Sequence, residues 1–146
     1  YNVSLQIILN ILESDIEYEH CIFLVQKELA QRFNSTKKSS KISLIADFFS
    51  DFEVLFDIPP EAFYPSPKVT SSLVKIKKNT KYKDKKESYI AFKRIVSLCF
   101  ANPRKKISNP LKNIFDVMPK FSFDINCRPQ ELEIDNYFEI LSKYEE

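Results

Sequence analysis

Residues 52–77 read FEVLFDIPPEAFYPSPKVTSSLVKIK, and how this stretch is read decides how the chain is built. Its first part has period two: Phe52, Val54, Phe56 and Ile58 fall on one side, Glu53 and Asp57 on the other, as in a strand with one wetter face. Pro59, Pro60, Pro65 and Pro67 then each remove a backbone donor and fix φ, so the chain crosses here as a rigid loop. Alternation resumes in residues 69–77, where Val74 and Ile76 oppose Lys75 and Lys77. Strand, proline loop and strand predict an antiparallel pair.

Upstream, Ser4 is a candidate N-cap for a largely buried helix in which Leu5, Ile8, Leu9 and Leu12 share a face widened by Ile7 and Ile11. Residues 21–25 are continuously apolar and partly β-branched, which predicts a central parallel strand covered on both faces. A short helix over 27–33, a polar loop over 37–41 and a helix capped by Ser40, with Ile42, Ile45, Ala46 and Phe49 on one face, complete the α/β part. Downstream the pattern turns helical. Phe92, Ile95, Val96 and Cys99 mark one helix, Ile107, Leu111 and Ile114 a second with Pro110 in or beside it, and Ile134, Phe138 and Leu141 a last. Pro129 suits the first position of a helical turn. The lysine-rich stretch between the two patterns is the best boundary, so we divide the chain into 1–78, a basic linker 79–86 and a helical part 87–146. An open sheet of these strands alone would leave a long bare edge, so the first part reads as the second half of an α/β domain.

The 146 residues are 44% hydrophobic and 29% charged, the balance of a folded domain rather than a disordered tail. There is no Gly, against roughly ten in an average chain of this length, so no glycine loop exists to cradle a phosphate or nucleotide. Cys21, Cys99 and Cys127 form neither a close pair nor an even set and read as reduced, buried thiols. His20 has no companion at metal-ligand spacing and reads as a strand-end residue; no metal is expected. The apolar runs are too short to cross a bilayer, and a cytosolic location is expected. The net charge is only +2, but it is unevenly spread. Lys75, Lys77, Lys78, Lys81, Lys83, Lys85 and Lys86 crowd one stretch, Arg104, Lys105 and Lys106 follow, and acidic residues collect near the C-terminus. That asymmetry suits an oriented contact with a polyanion, although a solvated lysine-rich linker explains the first stretch equally well.

Three ordered segments resemble the KsgA-type ribosomal RNA adenine dimethyltransferases. Tyr1-Asn2-Val3-Ser4 looks like the tail of that family's Asn-Leu-Pro-Tyr-Asn-Ile-Ser motif. Residues 25–32 (VQKELAQR) are similar to its strand-to-helix junction, and residues 56–72 closely match the segment that ends its catalytic domain. Residues 100–112 (FANPRKKISNPLK) resemble its Phe-Ser-Gln-Arg-Arg-Lys-Thr-Leu segment, and Arg128-Pro129-Gln130-Glu131-Leu132 resembles its Arg-Pro-Glu-Glu-Leu turn, which we take as structural. The resemblance implies the C-terminal half of a Rossmann-like class I methyltransferase domain followed by a small all-helical domain. It also implies S-adenosylmethionine as methyl donor, bound by an N-terminal half that these residues do not contain.

Adenine N6 is a poor nucleophile because its lone pair is delocalised into the ring. An enzyme must therefore hold the amino group with acceptors that favour a pyramidal nitrogen, and no strong base is needed because the nitrogen becomes acidic once methylated. The resemblance implies that an asparagine side chain and a backbone carbonyl preceding Tyr1 supply those acceptors. It further implies that Tyr1 packs on one side of the target base, while Phe63, fixed between prolines, is the second stacking wall for a base swung out of its helix. A Phe in a loop is otherwise usually a core plug. In the helical part, Arg104 and Lys105 fall on the family's RNA-gripping positions, whereas Pro103 replaces its first arginine and puts one phosphate contact in doubt. Lys106 is an addition of this chain, and Lys68 is a candidate phosphate contact or a plain surface lysine.

The function implied is dimethylation of adenines in small-subunit ribosomal RNA during ribosome biogenesis, with that RNA or a 30S-like precursor as partner. The chain as given would be inactive by itself. Within the same fold the rival is the Erm-type large-subunit RNA methyltransferase, which shares the Phe63 region; residues 100–112 and the Arg128 turn favour the small-subunit group. A reading of another class is a non-catalytic RNA-binding or assembly module, and a protein-interaction domain unrelated to RNA is a third.

Overall fold

The computed structural model describes residues 2–34 and 38–146. Its elements run α1 (Asn2–Glu13), β1 (His20–Gln26), α2 (Lys27–Arg32), α3 (Lys41–Phe49), β2 (Ser50–Ile58), β3 (Ser71–Lys78), α4 (Tyr89–Cys99), α5 (Ser108–Ile114) and α6 (Ile134–Glu145), with 3-10 turns at Pro60–Ala62, Lys83–Ser88 and Pro129–Glu131. The chain divides into two compact units, Tyr1–Asn34 with Ala46–Tyr82, and Ser35–Ile45 with Lys83–Glu146. The divide falls inside α3, so the described residues 38–45 group with the C-terminal helices.

In the first unit β3 is the middle strand of a three-stranded sheet ordered β1-β3-β2, antiparallel to both neighbours. The antiparallel pair around the proline loop is present. The central parallel strand expected at residues 21–25 is not: β1 lies at an edge of the described sheet, antiparallel to β3, and Ile22 and Leu24 are 51% and 47% exposed. A continuous apolar run signals apolar surroundings but says nothing about the direction or identity of the neighbouring strand.

A second departure lies in β2. Phe52 and Val54 pair with Ile76 and Val74, but a bulge follows, and Phe56, Asp57 and Ile58 pair with Leu73, Ser72 and Ser71. One extra residue reverses which side chains share a face. Phe56 and Ile58 thus leave the face of Phe52 and Val54, and Asp57 joins it, beside Ser72, Val74 and Ile76. Phe33, just past α2, stacks on Phe52 at 5.2 Å, so this is the face that α2 covers. Val74 and Ile76 are buried with Leu29, Ala30, Ile8 and Leu12.

Helix α1 starts at Asn2, which puts the expected cap Ser4 inside it. The helix is also less buried than its apolar content suggests, with Val3 and Ile7 exposed. Ser40 does cap α3, its Oγ accepting from Ser43 N–H at 3.0 Å.

Beyond Lys78 the described residues form only helices and turns. The four apolar residues that mark α4, namely Phe92, Ile95, Val96 and Cys99, are its buried ones. Phe92 stacks on buried Phe138 of α6 at 5.1 Å, and Tyr137 donates its hydroxyl to Pro129 O at 2.7 Å. Pro110 is the third residue of α5, where a missing N–H breaks no helical bond. Ser39 joins this unit from far upstream in the chain. Its N–H reaches Gln130 O at 2.9 Å and its hydroxyl donates to Leu132 O.

Candidate functional site

The proline loop joins the paired ends of β2 and β3, and residues 59–70 are tied at both ends. At its entry, Asp57 Oδ1 accepts from Ser72 Oγ at 2.6 Å, and Lys27 Nζ lies 2.9 Å from Asp57 Oδ2. The Ser72 bond first, and Lys27 second, hold the Asp57 carboxyl below the usual carboxylate range. At its exit, Lys27 N–H donates to Thr70 O at 3.0 Å. Within the loop, Ala62 and Phe63 N–H groups close a 3-10 turn on Pro59 and Pro60 carbonyls, and Ser66 Oγ donates to Pro60 O at 2.8 Å. Such cross-links, added to fixed proline φ values, leave the loop few alternatives. The Tyr64–Pro65 peptide is cis.

Phe63 sits at the end of that turn, half-buried and extended in backbone, so it is not one of the deeply buried side chains. Tyr64 beside it is fully exposed, and Lys68 is exposed further along the loop. Tyr1 lies outside the described residues.

The second unit carries the other candidates. Arg104, Lys105 and Lys106 are all exposed, in the turn between α4 and α5. Lys106 Nζ lies 3.4 Å from Asn126 Oδ1. Ile107 and Ser108 N–H groups donate to Cys127 O at 2.8 Å and Ile125 O at 3.0 Å, which lays residues 125–127 alongside the basic turn. Arg128 is therefore brought next to Lys105 and Lys106. It is exposed; its backbone N–H donates to Glu131 Oε2 at 2.6 Å and its carbonyl accepts from Glu131 N–H at 3.0 Å. Adjacency made by backbone pairing leaves no trace in sequence spacing.

Several lysines of the linker region are engaged instead. Lys78 lies 3.5 Å from Glu17 Oε1 and over the Tyr18 ring, Lys81 lies 3.6 Å from Asp51 Oδ1, and Lys85 lies 5.0 Å from the Phe138 ring centroid.

All three cysteines are free. Only Cys99 is buried, its thiol pushed up to about 12 by desolvation, whereas Cys21 and Cys127 are half-buried, less than expected. Among the described residues no His, Cys, Asp and Glu cluster could hold a metal, and no helix is long and apolar enough to cross a membrane.

With this geometry in place, comparison with known proteins decides the family. The model of the ribosomal RNA adenine dimethylases matches residues 1–144. The chain belongs to this family. Its relatives include ribosomal RNA small subunit methyltransferase A of Aliarcobacter butzleri, 35% identical over 98% of this chain and 56% of that protein. The same enzyme of Pelagibacter ubique is 34% identical over 100% of this chain and 59% of its own length. The chain thus spans a little over half of these relatives. Among solved structures, a dimethyladenosine transferase from Plasmodium falciparum superposes with TM-score 0.76 at 16% identity, over 99% of this chain and 64% of that one. The 23S rRNA methyltransferase ErmE superposes with TM-score 0.73 at 13% identity, over 100% and 62%. At such identities these two establish the α/β methyltransferase-like fold of a dimethylase family member and nothing finer.

Proposed function

We propose that these residues serve an enzyme that dimethylates N6 of adenines in small-subunit ribosomal RNA, acting on a precursor of the small ribosomal subunit. The observation that carries this reading is the locked proline loop holding Phe63, in a chain whose curated relatives are named as small-subunit methyltransferases. Phe63 serves as one stacking wall for the flipped adenine and Tyr1 as the other. The stack keeps N6 in one plane and excludes water from one side of the base. Arg104 and Lys105, with Lys106 and Arg128 beside them, hold RNA phosphates, and Lys68 adds a contact near the base. In this reading residues 1–78 serve the catalytic domain, apart from the segment 38–45 that groups with the helices, 79–86 link it, and 87–146 form the helical RNA-binding domain.

S-adenosylmethionine, the donor, supplies an electrophilic methyl group when bound. The residues here do not fit it. The chain has no Gly to let backbone approach such a ligand, and Asp57, the carboxylate at the sheet end, is already occupied by Ser72 and Lys27. We therefore assign donor binding to sequence outside these 146 residues, and calorimetry on this chain alone should detect no binding of the donor.

Sedimentation of the chain with purified, unmethylated ribosomal subunits tests the RNA assignment. It should travel with the small subunit. Preferential travel with the large subunit would favour the Erm-type reading, and travel with neither would sink both.

A further inference from the structure

We propose that Asp57 is a positioning residue for methyl transfer: by joining Ser72 and Lys27 it clasps the base of the proline loop and fixes where the Phe63 ring stands. The inference rests on the reading of Phe63 as a base-stacking wall.

Three chain ends meet at this point. Asp57 is the penultimate residue of β2, Ser72 the second of β3, and Lys27 the first residue after β1. The Asp57 carboxylate contacts both others through different oxygens, Oδ1 with Ser72 Oγ at 2.6 Å and Oδ2 with Lys27 Nζ at 2.9 Å. Lys27 in turn donates its backbone N–H to Thr70 O at 3.0 Å, so one residue holds the entry and the exit of the loop together.

The β2 bulge makes this geometry available. With strict alternation after Val54, Asp57 would share a face with Leu73 and point away from Ser72. The extra residue between Val54 and Phe56 puts it opposite Ser72 on the face of Val74. Bulges characteristically re-aim a single side chain at the rim of a sheet. The re-aimed group here is a carboxylate that accepts from a hydroxyl and an ammonium, the stronger class of hydrogen bond.

From the clasp to Phe63 the chain is stiff. Ile58 pairs with Ser71, Pro59 and Pro60 have fixed φ, and the Phe63 N–H closes the 3-10 turn on Pro60 O at 3.2 Å. Five residues separate Asp57 from Phe63, with no glycine hinge. A shift at the clasp is thus carried to the ring rather than absorbed. Exposed ion pairs contribute little to stability, so the value of this one lies in direction: it sets where the loop stands.

The test uses the complete methyltransferase that carries these residues, with unmethylated small subunits as substrate. Asp57→Ala should lower kcat by between about tenfold and a hundredfold, the usual consequence of a reacting group misplaced by about 1 Å, with KM for the subunit within about twofold. Asp57→Asn keeps an acceptor for Ser72 and loses the charge facing Lys27, so it should recover part of that loss. In the Phe63→Ala background, Asp57→Ala should lower kcat no further, because a positioning group has nothing left to position. Should Asp57→Ala fail to fold, Ser72→Ala removes one bond and must show the same sense of effect and the same non-additivity.

Equal losses from Asp57→Ala in the presence and absence of the Phe63 ring would overturn the proposal, since a general structural role gives that result. A wild-type kcat for Asp57→Ala beside a crippled Phe63→Ala would overturn the clasp alone. A wild-type kcat for Phe63→Ala would overturn the stacking reading, and the proposal with it.

Discussion

Reversing the charge of the basic turn, Arg104→Glu with Lys105→Glu, should change how RNA binding depends on salt by an amount the structure sets. Both side chains are exposed in the turn before α5, and neither enters an ion pair among the described residues. Each is therefore available for one phosphate. A phosphate contact releases counterions worth about 0.9 in the slope of log affinity against log salt for a B-form duplex, taken here as the upper value, and about 0.7 for a single strand. Losing two contacts flattens the slope by about 1.8 or about 1.4. Between about 50 and 200 mM salt, the larger value means that the wild type loses roughly 12-fold more affinity than the variant. Fluorescence anisotropy of the 146-residue chain on a labelled small-subunit RNA fragment measures this directly. The control replaces Lys81, Lys83, Lys85 and Lys86 with Ser. Lys81 lies against Asp51 and Lys85 against the Phe138 ring, so this variant should change the slope by less than about one contact despite losing more positive charges. A linker variant flatter than the turn variant would refute the assignment of phosphate binding to Arg104 and Lys105.

Two further outcomes follow from particular bonds. Ser39→Ala removes the hydroxyl that donates to Leu132 O at a buried position, so urea unfolding should show a loss of about 1–3 kcal/mol, and a change within error would mean the bond contributes nothing net. Asp57 has a folded-state pKa below its unfolded value, so its contribution is present above roughly pH 4, the ordinary carboxylate value, and is lost as pH falls through the lowered one. Stability should accordingly show no Asp57-dependent change between about pH 5 and 8, and Asp57→Asn should reduce the loss below about pH 4; an Asp57-dependent change near neutrality would contradict the clasp as drawn.

Local patterns were the legible part of this fold. The β2–loop–β3 hairpin follows from period two on either side of four prolines, and the buried face of α4 is the one its spacing marks. What escaped depends on contacts between distant residues. The edge position and antiparallel direction of β1 are properties of its partner, and an apolar run is silent about both. The bulge exists only as a mismatch between β2 and β3, yet it decides which face Asp57 takes. Ser39, 93 residues from its acceptor, binds the segment 38–45 to the C-terminal part, an association no linear boundary at residue 78 or 86 anticipates. Arg128 comes beside the basic turn for the same reason, through backbone bonds between residues 107–108 and 125–127. Phe63, in contrast, was marked by local chemistry, an aromatic side chain set between prolines, whereas its clasp was not.

The most direct measurement is of the product. The complete protein carrying these residues should be incubated with S-adenosylmethionine and each ribosomal subunit from cells that lack adenine dimethylation, and the digested RNA analysed by mass spectrometry. N6,N6-dimethyladenosine should appear in small-subunit RNA and not in large-subunit RNA. Methylated adenine confined to the large subunit, or none in either subunit from a protein that binds the donor, would contradict it.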